Sequence, residues 1–329
     1  MKKSLIVLLS FLAVNFAFGQ DLSSKDFKQI EEKKNQSALV VAEADTTWKS
    51  GGILGFNASQ TLLNNWAAGG QSSITGTAYI NLFKNYAKDA WTWDNTLDLS
   101  YGLLNNGIIE GNNVKIDDKI DFSSKAGRIA FGNWYYSGLV NFRSQFAPGY
   151  IVLDGAEDRD SKISDFLAPA FVLASIGMDY KPNDNFSVYI SPITSKNTIV
   201  NDANSSLRGA YGFDLDELGL SNDLVRFELG GYAKIAHKRK LAENAEWQTK
   251  IDLFSNYLKN PQNVDVNWEN LVAVRFAKYF NVNFILQMVY DDDIKIQFTD
   301  IEEDGAETNS SGSRLQVRQV FGLGFSYKF

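Results

Sequence analysis

The chain holds one histidine, His237, within Ala236-His237-Lys238-Arg239-Lys240. A histidine serves hydrolysis as a general base or as an activator of water. The strand pattern derived below puts His237 in a short turn after the eighth strand. It would stand there beside three cations and away from any serine-bearing strand, so it reads as a turn residue and no catalytic residue is assigned. Asp94 and Asp98 lie four residues apart on one strand, about 13 Å by the rise per residue. That is wider than the carboxylate separations of glycosidases. The run Asp291-Asp292-Asp293, followed by Asp300, Glu302, Glu303 and Asp304, offers hard oxygen ligands. It lacks the spacing and the glycine of an EF-hand loop, so it reads as a solvated charged hairpin. Gly51, Gly52 and Gly55 make no phosphate cradle, since no helix follows them. The absence of Cys excludes disulfides and thiolate metal sites. No cofactor and no metal is expected.

Taken together, the charges say more. Asp94, Asp98, Asp121, Glu228, Asp252 and Glu269 fall by alternation on the same face as Lys119, Lys125, Arg143, Arg226, Lys234, Lys250, Arg275 and Arg318. Signs are mixed on nearly every strand. An isolated charge inside a protein costs several kcal/mol, so this face calls for a network of ion pairs.

Strands must carry these residues. Period-two alternation runs from about Trp48 to Phe329 and is clearest at the end of the chain. Leu315, Val317, Phe321, Leu323, Phe325, Tyr327 and Phe329 share one face; Gln316, Arg318, Gly322, Gly324, Ser326 and Lys328 share the other. Trp91, Trp93, Leu97 and Leu99 alternate with Asp94 and Asp98 in the same way, and Trp134, Tyr136, Val140 and Phe142 with Asn141 and Arg143. One face suits lipid and the other a wet interior. Backbone groups within hydrocarbon must all be paired, so such strands close on themselves. The pattern predicts an all-β fold, a transmembrane antiparallel up-and-down β-barrel of about 12 strands. These lie near 48–60, 72–83, 90–103, 116–128, 133–146, 166–180, 185–193, 223–236, 246–257, 264–277, 281–298 and 314–329. Tight turns fall at 88–89, 132–133, 181–184 and 278–281, and long polar loops at 104–115, 147–165, 194–222 and 299–313. Short periplasmic turns and long outer loops, with an even strand number, put both termini in the periplasm. Trp91, Trp93, Trp134, Tyr180, Trp247 and Tyr327 then fall at periplasmic strand ends and Trp268 near an outer end, as an aromatic girdle requires.

The first residues set the compartment. Lys2 and Lys3, an apolar run and Ala17-Phe18-Gly19 make residues 1–19 a signal peptide. The full chain has a net charge of −7, and cleavage makes it more acidic. Nucleic acid, which needs a dense basic face, is not an expected partner. Twenty-three Phe, 14 Tyr and 7 Trp, against five Pro, suit strands rather than membrane helices. Residues 20–47 are polar and read as a flexible periplasmic segment, with entry into the barrel as a plug the alternative. Residues 48–329 form the barrel.

Gly55-Phe56-Asn57-Ala58-Ser59-Gln60, followed by Asn65-Trp66-Ala67-Ala68-Gly69-Gly70-Gln71-Ser72, resembles the opening signature of a Bacteroidota outer-membrane family known as a domain of unknown function (number 3078). The similarity runs from about Trp48 to the C-terminus. It implies a barrel and a lineage, and it carries over no catalytic or binding residue. The last strand, with Phe325, Tyr327 and Phe329, is similar to the C-terminal signal read by the barrel assembly machinery.

Hydrolytic barrels of outer membranes generally use a histidine, which disfavours an enzyme here. Two expectations remain. One is a narrow polar channel for small solutes. The other is a non-conducting structural or accessory barrel that docks partners through its outer loops or its N-terminal segment. Expected partners are outer-membrane lipids and, during biogenesis, the assembly machinery.

Overall fold

The computed structural model describes residues 47–61, 73–106, 112–153, 156–202, 206–218, 220–301 and 307–329. The expected signal peptide, the 20–47 segment and the Asn65–Ser72 part of the family signature lie outside them. The strands are β1 (Trp48–Thr61), β2 (Ser73–Lys88), β3 (Trp91–Asn106), β4 (Asn112–Phe131), β5 (Trp134–Ser144), β6 (Gly149–Leu153), β7 (Ala156–Ser164), β8 (Ala170–Asn183) and β9 (Phe186–Ile199). A five-residue helix α1 (Ser206–Ala210) follows, then β10 (Val225–Ala242), β11 (Ala245–Asn256), β12 (Val264–Arg275), β13 (Phe280–Tyr290), β14 (Ile296–Ile301), β15 (Glu307–Gly312) and β16 (Gln316–Lys328).

Twelve of these strands form one closed antiparallel barrel in the order β1-β16-β13-β12-β11-β10-β9-β8-β5-β4-β3-β2. β6–β7 and β14–β15 are separate hairpins built mostly from the segments expected as long polar loops at 147–165 and 299–313. The eleventh barrel strand therefore ends at Tyr290 rather than near 298. Closure comes from β16 on β1, with Ile53 opposite Lys328 and Ala58 opposite Leu323. The last residue completes the seam: Gly52 N donates to Phe329 O at 3.0 Å and Phe329 N to Gly52 O at 3.1 Å. Backbone pairing from Gly52 to Ala58 thus closes the sheet where its first and last strands meet, as a hydrocarbon environment demands.

Burial is inverted relative to a soluble sandwich. Phe321 is 72% exposed and Ile176 71%, whereas Glu228, Asp179, Ser191, Thr194 and Thr198 are among the largest fully buried side chains. Apolar atoms outside and polar atoms inside are stable together only when the outer medium is lipid. The chain is a β-barrel of the outer-membrane type. Rings ride the outer surface at the end that carries the two-residue turns and the chain seam. Trp48 meets Trp93 at 5.8 Å, Trp134 meets Tyr180 at 5.0 Å, and Tyr327 meets Phe329 at 6.3 Å. Trp91 is 54% exposed at the same end, with the Arg128 guanidinium 5.6 Å from its ring centre.

Trp268 departs from its expected place near the outer end. The register sets it opposite Ile251, and Trp247 opposite Val272, so both indoles lean on one polar step, Thr249 opposite Asn270. Trp268 Nε1 donates to Thr249 at 2.9 Å and Trp247 Nε1 to Asn270 at 3.3 Å. The turn expected at Gly132-Asn133 is found there, where Gly132 has φ +53° and no Cβ to obstruct it, while two others shift. The turn expected at 181–184 is confined to Asp184-Asn185, because β8 continues to Asn183. That expected at 278–281 moves to 276–279.

Candidate functional site: the charged lumen

Alternation delivers the charged side chains to the interior, and the register decides whom they meet. Arg143, on β5, joins the β4 acid Asp121 (Nε to Oδ2, 3.3 Å) to the β11 acid Asp252 (Nη2 to Oδ2, 3.4 Å). Asp121 also accepts from Asn141 Nδ2 at 2.7 Å and has Lys119 at 3.8 Å. Asp252 accepts from the Tyr232 hydroxyl and has Lys234 at 3.9 Å. Lys250 faces Glu269 at 3.7 Å. Arg318, on β16, reaches Asp117 on β4 at 2.9 Å. Nearer the short turns, Lys181 bonds Asp94, Lys125 bonds Asp179 at 2.5 Å, and Asn81 donates to Asp98. Asp98 stands directly opposite Asp121 across the β3–β4 pair. Two adjacent acids are tolerable there because each has its own donor.

Several of these bridges cross the barrel. A circular 12-strand barrel, with strands about 4.8 Å apart and tilted about 40°, has a backbone diameter of about 24 Å; strands four steps apart stand about 21 Å from one another. An extended Arg and Asp, with bonds of about 1.5 Å, cover about 14 Å at most including the contact. β5 and β11 are four steps apart, and so are β4 and β16. Both pairs nevertheless touch, so the section is flattened and the β4–β5 wall approaches the opposite side.

The interior is not polar throughout. Leu139, Tyr189, Tyr232 and Phe254 form a buried cluster against the wall from β5 to β11, with Leu173 packed on it. Tyr189 shares a hydrogen bond of 2.9 Å with Ser175. Opposite, the phenol end of Tyr79 lies against Gly55, where a Cβ would stand 2.0 Å from the ring's Cζ. The side chains of Asn57, Asn281 and Asn283 gather beside it, with Asn281 Nδ2 donating to Asn283 at 2.6 Å. Between these fillings runs a wetter strip. The side chains of Lys119, Lys250, Glu269 and Arg318 keep 34, 25, 27 and 39% of their surface accessible, against 1% for Asp179.

The opposite mouth is acidic. Lys196 meets Asp265 at 2.7 Å, Asp291 at 3.1 Å and Glu228 at 3.8 Å. Arg226 meets Asp293 at 2.6 Å and Glu228 at 3.0 Å. Asp292 accepts from Asn263 Nδ2 at 2.6 Å. The Asp291–Asp293 run expected as a solvated hairpin is thus folded back onto the strand ends, neutralised in part by two cations far away in sequence. The side chains of Asp300, Glu302, Glu303 and Asp304 lie outside the described residues.

Beside this mouth the described residues of 200–224 pack with their neighbours. Ala168, Val200, Leu207 and Phe213 form a second buried cluster. Arg208 donates to the carbonyls of Asp202 (3.0 Å), Val200 (3.4 Å) and Ser221. Tyr211 donates to Ile163 O at 3.1 Å, and Lys295 N to Ala210 O at 3.3 Å, which ties three loops together. Burial pushes the Tyr211 phenol up to about 12. The ammonium of Lys162 is held above its usual range by hydrogen bonds to Asp202 and Asp165.

Two expected residues take other places. Arg275 ends β12, exposed, and joins none of the ion pairs among the described residues. His237 is not in a turn. It pairs with Phe186 and Thr249 inside β10, on the outer face, with its ring edge-on to Phe186 (6.0 Å) and Trp247 (5.8 Å). β10 continues through the cationic run because the β10–β11 hairpin overhangs its β8–β9 neighbour. Lumen residues passed over from sequence include Asp117, Asp179, Lys181, Lys196 and Asp265. Lys181 was hidden by the expected turn, while the parity of Asp179 with Ser175 could have found it.

Residues 58–150 match a family described as "Protein of unknown function (DUF3078)", the family to which the signature near Gly55 points; the match is shorter than the expected reach to the C-terminus. No curated protein matches the chain. Among solved structures, an outer membrane channel from Pseudomonas putida F1 is 10% identical with a TM-score of 0.39, covering 87% of this chain and 97% of that one. The translocator domain of autotransporter NalP from Neisseria meningitidis is 11% identical with a TM-score of 0.31, covering 91% and 95%. The P. putida toluene transporter TodX is 10% identical with a TM-score of 0.30, covering 89% and 92%. None is similar enough to bear on function.

Proposed function

We propose that this outer-membrane barrel is a narrow, hydrated channel for small polar solutes. One observation carries the reading: inside a closed barrel, the side chains of Lys119, Lys250, Glu269 and Arg318 stay a quarter or more exposed, which marks a strip that water reaches. Charges in such a strip are solvated as well as paired, and a small polar solute can exchange for that water. The aromatic cluster and the Arg143 bridge keep the path narrow. Both termini belong on the periplasmic side, supported by the even strand number and by the two-residue turns at the end that carries Trp48 and Phe329. An enzyme is not proposed: His237 stands on the outer face between two aromatic rings. Lipids and, during biogenesis, the assembly machinery that reads the last strand are the proposed partners.

The second reading, a closed accessory barrel, is favoured by the bridge from Arg143 to Asp252 and by the interlocked loops beside the acidic mouth. Planar-bilayer recording of the purified full chain separates the two. A small, steady single-channel conductance is expected. A heat-modifiable, fully inserted barrel that passes no current would move the assignment to the accessory barrel.

A further inference from the structure

Where β10 overhangs its neighbour, the rim of the barrel is hollowed. β9 pairs with β10 as far as Phe186 opposite His237, and Lys238 N donates to Asn185 O at 2.8 Å. Beyond that point β10 pairs with β11 alone, through Lys240 opposite Glu246 and Ala242 opposite Ala245. The free edge of residues 239–242 stands over the β8–β9 turn. Between them lies a depression of about 630 Å³ lined by Asn183, Asn185, Phe186, His237, Lys238, Arg239, Lys240 and Glu246.

Three cations and one acid border this hollow. Lys238 is engaged by Glu246 at 3.1 Å, while Arg239 and Lys240 join no ion pair among the described residues. Other cations at this end are held by rings: Lys84 lies 5.1 Å from the Trp48 ring centre, Arg128 5.6 Å from Trp91, and Lys278 4.9 Å from Tyr279. Height supplies the second argument. Phe186, His237 and Trp247 belong to the aromatic belt, and belts of this kind sit at the headgroup level of a bilayer. Arg239 shares the outward face of His237 and lies two residues further from the hydrocarbon, about 7 Å along the strand. Phospholipid phosphates occupy that level, just outside the rings.

We propose that this hollow binds the phosphate of an anionic phospholipid in the adjoining leaflet, with the outward-facing Arg239 as its cationic partner and the unpaired backbone edge of β10 beside it. The His237 ring, fixed between Phe186 and Trp247, forms the wall against which the glycerol end of the headgroup rests. The assignment rests on the barrel lying in a bilayer and not on conduction, so it stands or falls apart from the channel.

The test is native mass spectrometry of the folded full chain in detergent, titrated with phosphatidylglycerol, phosphatidylcholine or inorganic phosphate. Retention of one phosphatidylglycerol is expected, with phosphatidylcholine retained less and millimolar inorganic phosphate unable to displace the lipid. An Arg or Lys near an anionic headgroup supports about a five-fold gain in affinity, so Arg239→Gln should weaken retention about five-fold. Arg128→Gln, which removes a ring-held cation at the same end, should leave retention unchanged. Heat-modifiability on gels establishes that each variant is folded. Equal retention by the folded Arg239→Gln variant, or equal retention of phosphatidylcholine, would overturn the proposal. Displacement by inorganic phosphate would overturn the lipid source and leave a site for the free anion.

Discussion

Arg143→Met tests whether the bridge across the lumen holds the barrel in its flattened section. The substitution keeps most of the stem and removes the guanidinium from Asp121 and Asp252. Breaking a dry buried pair costs about 3–5 kcal/mol, while an exposed pair contributes about 1 kcal/mol or less. Arg143 lies between these limits: its side chain is 31% exposed, and those of Asp121 and Asp252 are 5% and 9%. Neither acid is abandoned, since Asn141 and Lys119 remain for Asp121, and Tyr232 and Lys234 for Asp252. We therefore expect a loss of about 2 kcal/mol, roughly a thirty-fold shift in the folding equilibrium. Equilibrium urea unfolding of the barrel in phospholipid vesicles measures it. A cycle with Asp252→Asn should return a coupling of about 1–2 kcal/mol, within the range of residues that share a charge network. In a conducting barrel the reversal potential should also move toward cations, because a fixed positive charge has left the path. An unchanged unfolding midpoint with a coupling near zero would refute the claim that Arg143 ties β5 to β11.

Deleting residues 327–329 removes the two backbone bonds between Gly52 and Phe329 along with two rings of the belt, so outer-membrane levels of heat-modifiable protein should fall, as read by membrane fractionation. His237→Ala should leave folding intact and any lipid or peptide hydrolysis by the purified protein unchanged; loss of such activity from a folded variant would restore the case for an enzyme. Gly55→Ala drives a methyl into the Tyr79 ring and should destabilise the barrel by about 1–3 kcal/mol, the usual range for overpacking. Adding Tyr79→Ala should return part of that loss in the same urea assay.

The period-two pattern in the amino-acid sequence was enough to determine the strand number, the antiparallel barrel and the face on which Asp94, Arg143 or Arg318 stands. Those properties are local, because alternate Cβ atoms point to opposite sides of any strand. The exposed rings at the seam end are local in the same sense. Which partner each charge meets was decided only by the tertiary structure. Arg143 and Asp252 are 109 residues apart, and their contact depends on the register of every strand between them and on a flattening that no single strand encodes. The acidic run at 291–293 has the composition of a solvated hairpin, and it folds back because Lys196 and Arg226 wait at the ends of other strands. The cationic run after His237 has the composition of a turn. It remains a strand because its hairpin outlasts the neighbouring one, a difference in length that arises between strands and not within either of them.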